Sequence, residues 1–232
     1  MHRYDIERYL NVRSAGGADI GPDGRLSVIL NTTGTGQVWS LDAPLSWPTQ
    51  RTFFEETVSF VDSSPERPEA VFGMDEGGNE RAQLYRLNYE SGEIVDLTRR
   101  PAAKHRWGGW DGEGDRFAFA SNRRDESVFD VYVQERAAEP ADDAGDGSDT
   151  PGDPPDPELV YEGDGWLSVA GWSPSDDRLI VHEAHASFDH DLYDLDVDKP
   201  TPLVPRRAVL MMPQSQVCLG EPVGLHLARL GE

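Results

Sequence analysis

The sequence predicts an all-β protein, an incomplete β-propeller of about four blades, open rather than closed. Three observations carry this prediction. A strand-turn-strand unit recurs at Ile20-Gly-Pro-Asp-Gly-Arg25, Trp110-Asp-Gly-Glu-Gly-Asp-Arg116 and Trp172-Ser-Pro-Ser-Asp-Asp-Arg178, each running into an apolar strand. An aromatic residue then marks a later strand of each unit, at Trp39, Tyr85, Tyr132 and Tyr193. The spacing is a period of roughly forty residues with four short strands per unit, which is the pattern of propeller blades.

In chain order, residues 1–17 read as a lead-in, with Tyr4, Ile6, Tyr9 and Leu10 as apolar contacts of a short helix or strand. Residues 18–198 hold the blades. Blade one runs from Ala18 to Phe54; Gly21-Pro22-Asp23-Gly24 is a tight turn, because proline presets φ and glycine accepts a positive φ. Leu26–Leu30 and Gln37–Leu41 are its strands. Blade two, Val58 to Thr98, places strands at Val58–Val61, Ala70–Met74, Gln83–Asn88 and Glu93–Leu97, with the hairpin loop Asp75-Glu-Gly-Gly-Asn-Glu80 between the second and third. Leu97-Thr98 and Leu203-Val204 look like matching outer edges.

Blade three opens at His105-Arg-Trp-Gly-Gly-Trp110 and continues through Arg116–Ala120 and Val128–Gln134. Residues 137–157 are rich in Asp, Pro, Gly and Ala without apolar periodicity, so an acidic disordered insertion is expected there. Removing roughly 15–20 residues restores the period between Trp110 and Trp172. The outer strand resumes at Glu158–Tyr161. Blade four takes Trp166–Trp172, Leu179–His182 and Asp191–Val197. Residues 199–232 change character: Pro200, Pro202, Pro205 and Pro213 interrupt any ladder, and the lone Cys218 lies there. This tail reads either as a segment translated out of frame, the chain being a truncated fragment, or as a variable C-terminal tail.

Charge narrows the function. The chain of 232 residues carries 43 acidic against 21 basic side chains, a net charge of −22, and only two of the basic residues are lysines. Such a surface is expected of a halophilic protein, since molar salt shortens the Debye length to about 3 Å and screens carboxylate repulsion. It argues against nucleic acid, which needs clustered Lys and Arg. One cysteine allows no intrachain disulfide. The charged N-terminus is unlike a signal peptide and no apolar run has membrane-span length, so the expectation is a cytoplasmic protein with no membrane partner.

Few constellations carry chemistry. Asp75, Glu76 and Glu80 surround a glycine turn and suit either calcium or a solvated hairpin tip. Arg123 and Arg124 could meet a carboxylate or form a salt-bridged surface turn. His182, His185 and His190 are the densest set of metal-ligand types. The spacing is not His-Glu-x-x-His, and strand alternation sends His182 and His185 to opposite faces, so no metal is expected. Trp107, Trp110, Trp166 and Trp172 are expected to fill gaps between blades. No cofactor is expected.

Together, the blade openers, the loop Asp75–Glu80 leading to Gln83-Leu-Tyr85, and the stretches His105–Val133 and Val160–Leu195 resemble the N-terminal propeller of prolyl-oligopeptidase-family serine peptidases, on the acylaminoacyl-peptidase-like branch of halophilic archaea. The openers are shared with WD40- and TolB-like propellers. The resemblance implies a propeller that restricts entry to an α/β-hydrolase domain bearing a Ser-Asp-His triad and hydrolysing peptides or acyl-peptides. It also implies that acidic propeller residues such as Asp75, Glu76 and Glu80 anchor a peptide amino group, and that Arg123 or Arg124 contacts the hydrolase domain. No Gly-x-Ser-x-Gly elbow occurs in this sequence, so no residue is assigned to catalysis and the chain is expected to be inactive alone. The alternative is a free-standing TolB-like protein-binding module. Open blade edges lead to an expectation of self-association.

Overall fold

The computed structural model describes residues 13–136, 154–186 and 189–198. They form fifteen strands and no helix. The lead-in up to residue 12, most of the acidic insertion, the Leu203-Val204 edge and Cys218 lie outside the described residues.

Four antiparallel sheets follow one another along the chain, and within each sheet every strand pairs with its neighbour in sequence. Blade one is β1 (Ala15–Ile20), β2 (Leu26–Leu30), β3 (Gln37–Leu41) and β4 (Thr49–Gln50); blade two is β5 (Val58–Ser63), β6 (Glu69–Met74), β7 (Gln83–Asn88) and β8 (Ile94–Asp96). Blade three is β9 (His105–Trp110), β10 (Arg116–Ser121), β11 (Asp130–Glu135) and β12 (Glu158–Tyr161). Blade four has three described strands, β13 (Trp166–Trp172), β14 (Arg178–Ala186) and β15 (Asp189–Asp196). Among the described residues the sheets pack in sequence order and do not close into a ring. The fold is therefore an open, incomplete propeller.

The recurring opener is one turn used three times. Gly24 N–H donates to the Gly21 carbonyl, Gly114 to Asp111 and Asp176 to Ser173, at 3.0, 3.1 and 3.0 Å. The fourth residue of each turn sits in the left-handed region, at φ 79°, 66° and 57° respectively. Glycine serves there twice. Asp176 takes the same conformation in the third copy, and Asp and Asn tolerate it better than most non-glycine residues.

Every inner strand is bulged at a similar place, with pairing shifts between Gly16 and Asp19, Val58 and Phe60, Trp107 and Gly109, and Val169 and Gly171. Bulges bend a strand and increase its twist, which suits an inner strand that must wrap the blade around the next one.

The core lies between the blades, as propeller packing requires. Val38, Val58 and Phe72 bridge blades one and two; Val71, Leu84, Phe117 and Phe119 bridge blades two and three; Val131, Leu167, Val169 and Leu179 bridge blades three and four. Trp107 stacks on Phe60 at 6.0 Å between ring centroids and donates to Asp62 at 2.6 Å, while Trp172 donates to the Gly109 carbonyl at 3.0 Å. These indoles fill gaps between blades. Trp166 is half exposed, packed on Phe129 and covered by Arg106. Gly108 makes the approach of blade four possible, because a Cβ there would lie 2.5 Å from Val169 Cβ and 2.9 Å from the Ala118 carbonyl.

A side-chain clasp repeats with the blades. Gln37, first in β3, accepts from Thr52 Oγ1 at 2.8 Å and from Phe54 N–H at 3.0 Å, while Val38 N–H donates to Thr52 Oγ1. Gln83, first in β7, accepts from Thr98 Oγ1 at 3.1 Å and Arg100 N–H at 3.2 Å, while Leu84 N–H donates to Thr98 Oγ1. In blade three the first residue of β11 is Asp130, and it accepts from Gly163 N–H at 2.9 Å. Each clasp binds the third strand to the crossover that leads into the next blade.

Candidate functional site

In a four-stranded meander the second-to-third hairpin and the crossover to the next blade leave from the same end of the sheet. The loops 75–82 and 122–129 therefore share one face with the crossover 97–104. Two adjacent depressions lie there and meet at Pro101.

The first, about 260 Å³, is lined by Glu56, Asp75, Glu76, Asp96, Arg81 and Tyr85, among others. Asp75 Oδ2 accepts from Glu80 N–H at 2.7 Å and Asn79 Oδ1 from Arg81 N–H at 2.7 Å, so the loop is held by its own polar side chains. Gly77 and Gly78 supply the left-handed backbone, with φ 61° and 71°. Burial pushes the Tyr85 phenol up, and the nearby Asp96 and Glu76 carboxylates add to the shift. Asp75 and Glu76 thus face one depression, while Glu80 is turned to Lys104 Nζ at 3.3 Å. Among the described residues no three His, Cys, Asp or Glu side chains converge as a metal site.

The second depression, about 410 Å³, is basic. Arg99, Arg100, Arg123 and Arg124 line it, with Asn122, Asp125 and Glu126. The two neighbouring arginines of this loop have different roles. Arg124 donates from Nε and Nη2 to the two oxygens of Asp130, both at 2.8 Å, and from Nη2 to the Gly163 carbonyl at 2.9 Å. That fork pins blade three to the chain entering blade four. Arg123 is half-buried and has no carboxylate within ion-pair distance among the described residues. Its guanidinium lies 5.1 Å from the Phe119 ring centre and 4.8 Å from that of Tyr132, with Nη2 3.2 Å from His105 Nε2.

His105 supports Arg123 in one tautomer. Its Nδ1 is 2.9 Å from the Ala82 carbonyl, which can only accept, so Nδ1 carries the proton and Nε2 accepts from Arg123. Burial, with Arg123 adding to it, lowers the His105 pKa to about 4. The folded chain therefore resists a proton that the unfolded chain binds near pH 6.5. Stability from this group is complete above the unfolded value and is lost as pH falls towards 4. His105→Asn is expected to flatten the stability profile in that window relative to wild type. Urea midpoints at successive pH values check it, and parallel profiles for the two proteins would contradict it.

The histidines of blade four do not form a catalytic pair. His182 and His190 lie on one face, their rings tilted with centroids 4.6 Å apart, and Ser168 Oγ lies 3.3 Å from His182 Nδ1. Ser168 sits within the strand β13 rather than on a strained elbow, and no carboxylate orients His182 among the described residues. His185 lies on the other face, 3.1 Å from Asp191 Oδ2 and 3.7 Å from Glu183 Oε2.

Local sequence does not mark His105 as a supporting residue, because its partners Ala82 and Arg123 lie 23 and 18 residues away. The clasps do leave a signal, since Gln and Thr recur at the same separation in blades one and two.

No family model and no curated protein matches the chain. Solved structures resemble it in fold. A prolyl endopeptidase aligns with a TM-score of 0.59 at 11% identity, over 84% of this chain and 29% of that one. A TolB from Agrobacterium tumefaciens aligns with a TM-score of 0.56 at 16% identity, over 84% of this chain and 62% of that one. A puromycin hydrolase aligns with a TM-score of 0.51 at 12% identity, over 79% of this chain and 27% of that one. The chain thus spans less than two thirds of the length of each of these proteins. These likenesses define the class of its fold: a propeller of the TolB and prolyl-oligopeptidase type.

Proposed function

We propose that this chain is a non-catalytic, substrate-gating propeller that docks on an α/β-hydrolase domain of the prolyl-oligopeptidase type, the pair hydrolysing peptides or acyl-peptides. The observation that carries this reading is the four-blade meander, which aligns with peptidase-type structures over most of the described chain. The loop face, with its acidic and basic depressions side by side, is the surface offered to peptide substrate and hydrolase. The acidic balance further suggests adaptation to molar salt, and a cytoplasmic location belongs to the same proposal. The second reading, a free-standing TolB-like binding module, is favoured by one observation: the Agrobacterium TolB is matched over a larger share of its own length than either hydrolase.

The test is co-expression with an α/β-hydrolase domain of the prolyl-oligopeptidase type, in low and in molar KCl. The expected result is copurification best in molar salt, no cleavage of a chromogenic acyl-peptide by the chain alone, and cleavage by the pair. Adding the chain should suppress casein digestion by the hydrolase while sparing short peptides. If the two polypeptides do not associate at any salt concentration, or size selectivity is unchanged, the gating reading falls and the TolB-like reading takes its place.

A further inference from the structure

We propose that Arg123 and Arg100, on the loop face between blades two and three, form a receptor for the C-terminal carboxylate of a short peptide. This identifies which end of a substrate the propeller holds, and for the choice of a peptide it rests on the reading above.

The first argument is the isolation of a positive charge in a chain of net charge −22. Most described arginines, among them Arg67, Arg86, Arg124 and Arg136, stand within 4.0 Å of a carboxylate. Among the described residues the partners of Arg123 are instead a neutral imidazole and two aromatic faces, and its buried Nε meets no hydrogen-bond acceptor there. Arg100 lines the same depression, is exposed, and has no side-chain partner among the described residues.

The second argument is preorganisation. Phe119 and Tyr132 stack at 5.6 Å and present their faces to Arg123, which fixes the guanidinium plane without neutralising it. His105, held by the Ala82 carbonyl, fixes its rotation. A planar fork held this way matches a carboxylate in two parallel hydrogen bonds. Burial lowers the proton affinity of Arg123 and the Arg100 charge contributes in the same direction, while Tyr132 and the Asp156 carboxylate act the other way; Arg100 thus adds a second positive charge to the depression. Arg100 is positioned in turn by its own N–H, which donates to Gln83 in the blade-two clasp.

Two carboxylates also line the depression, and both are engaged. Asp125 Oδ1 accepts from Ser127 N–H at 2.8 Å and Ser127 Oγ at 2.6 Å, while Glu126 stands 3.6 Å from Arg81. The volume of about 410 Å³ admits the last residues of a peptide.

Calorimetric titration tests the site on the chain as it stands. The probes are N-acetyl-trialanine as free acid, the same peptide as C-terminal amide, and inorganic phosphate. The free acid is expected to bind saturably and the amide about tenfold more weakly, the loss of one charge-assisted pair. Arg100→Gln and Arg123→Lys should each reduce free-acid affinity several-fold and leave the amide unchanged, with circular dichroism confirming the fold. Lysine keeps the charge of Arg123 but not its fork. Equal binding of acid and amide, or unaltered binding by both variants, overturns the proposal. Phosphate binding more tightly than the free acid overturns the peptide assignment in favour of a general anion site. Carboxylate binding by a chain that associates with no hydrolase keeps this site and removes only the gating role.

Discussion

Glu69→Ala is expected to cost about 3–5 kcal/mol of folding stability, the range for removing one partner of a buried ion pair. Glu69 is 2% exposed and lies at the start of β6. Its Oε1 accepts from Arg136 Nε at 2.6 Å, and its Oε2 faces Arg86 Nη1 at 3.6 Å, where Arg86 is itself 1% exposed. Arg136 follows the third strand of blade three, so one carboxylate neutralises guanidiniums from two blades. Alanine would take from Arg86, deep between the sheets, one of the two carboxylates that face it, the other being Glu93 at 3.3 Å. A pair of apolar substitutions, Glu69→Leu with Arg86→Met, should recover much of the loss, because it removes the buried charge along with its counterion. Urea denaturation followed by circular dichroism measures both. A loss below about 1 kcal/mol for the single variant would mean that the pair behaves like an exposed one.

Asp130→Asn is expected to cost about 3 kcal/mol, the low end of the same range because the Arg124 side chain is 37% exposed. Asp130 itself is fully buried. Its carboxylate accepts from Arg124 twice, from Gly163 N–H, and from Tyr132 OH at 3.3 Å. An amide of the same shape turns one acceptor into a donor, and that donor faces Arg124 in either orientation, together with Gly163 N–H in one and Tyr132 OH in the other. The damage should be local as well as global, since these bonds join β11 to the chain entering blade four. Amide hydrogen exchange is therefore expected to accelerate in β13 and β14 before it does in blade two. Uniform acceleration across all four blades would show that Asp130 supports the whole array rather than one junction.

The strands of blade two and the outer strand Glu158–Tyr161 were legible because their cues are local. A β-branched and aromatic run is bounded by Gly, Pro, Asn or Asp, and the turn residues accept the backbone the turn requires. The same cues fail at β14, which continues past His182 to Ala186. Cross-strand pairing with β15, such as Ala184 opposite His190, extends it, and a pairing partner is not visible in the strand's own pattern. Blade one likewise begins at Ala15, where pairing to Leu30 holds a stretch of small residues that carries little strand signal.

The candidate site divides in the same way. That a loop rich in Asp, Glu and Gly follows β6, and an Arg-Arg pair follows β10, is written in the sequence, as is the acidic excess that makes those arginines conspicuous. Which arginine is free for a ligand is not. Arg124 is taken by Asp130 and by a carbonyl 39 residues away, and Arg123 falls instead over rings from β10 and β11. Turn and strand propensities act through bonds to near neighbours, so adjacent residues reveal them. The partner of a charge is chosen by distance in space and by desolvation, and both exist only once the blades have packed.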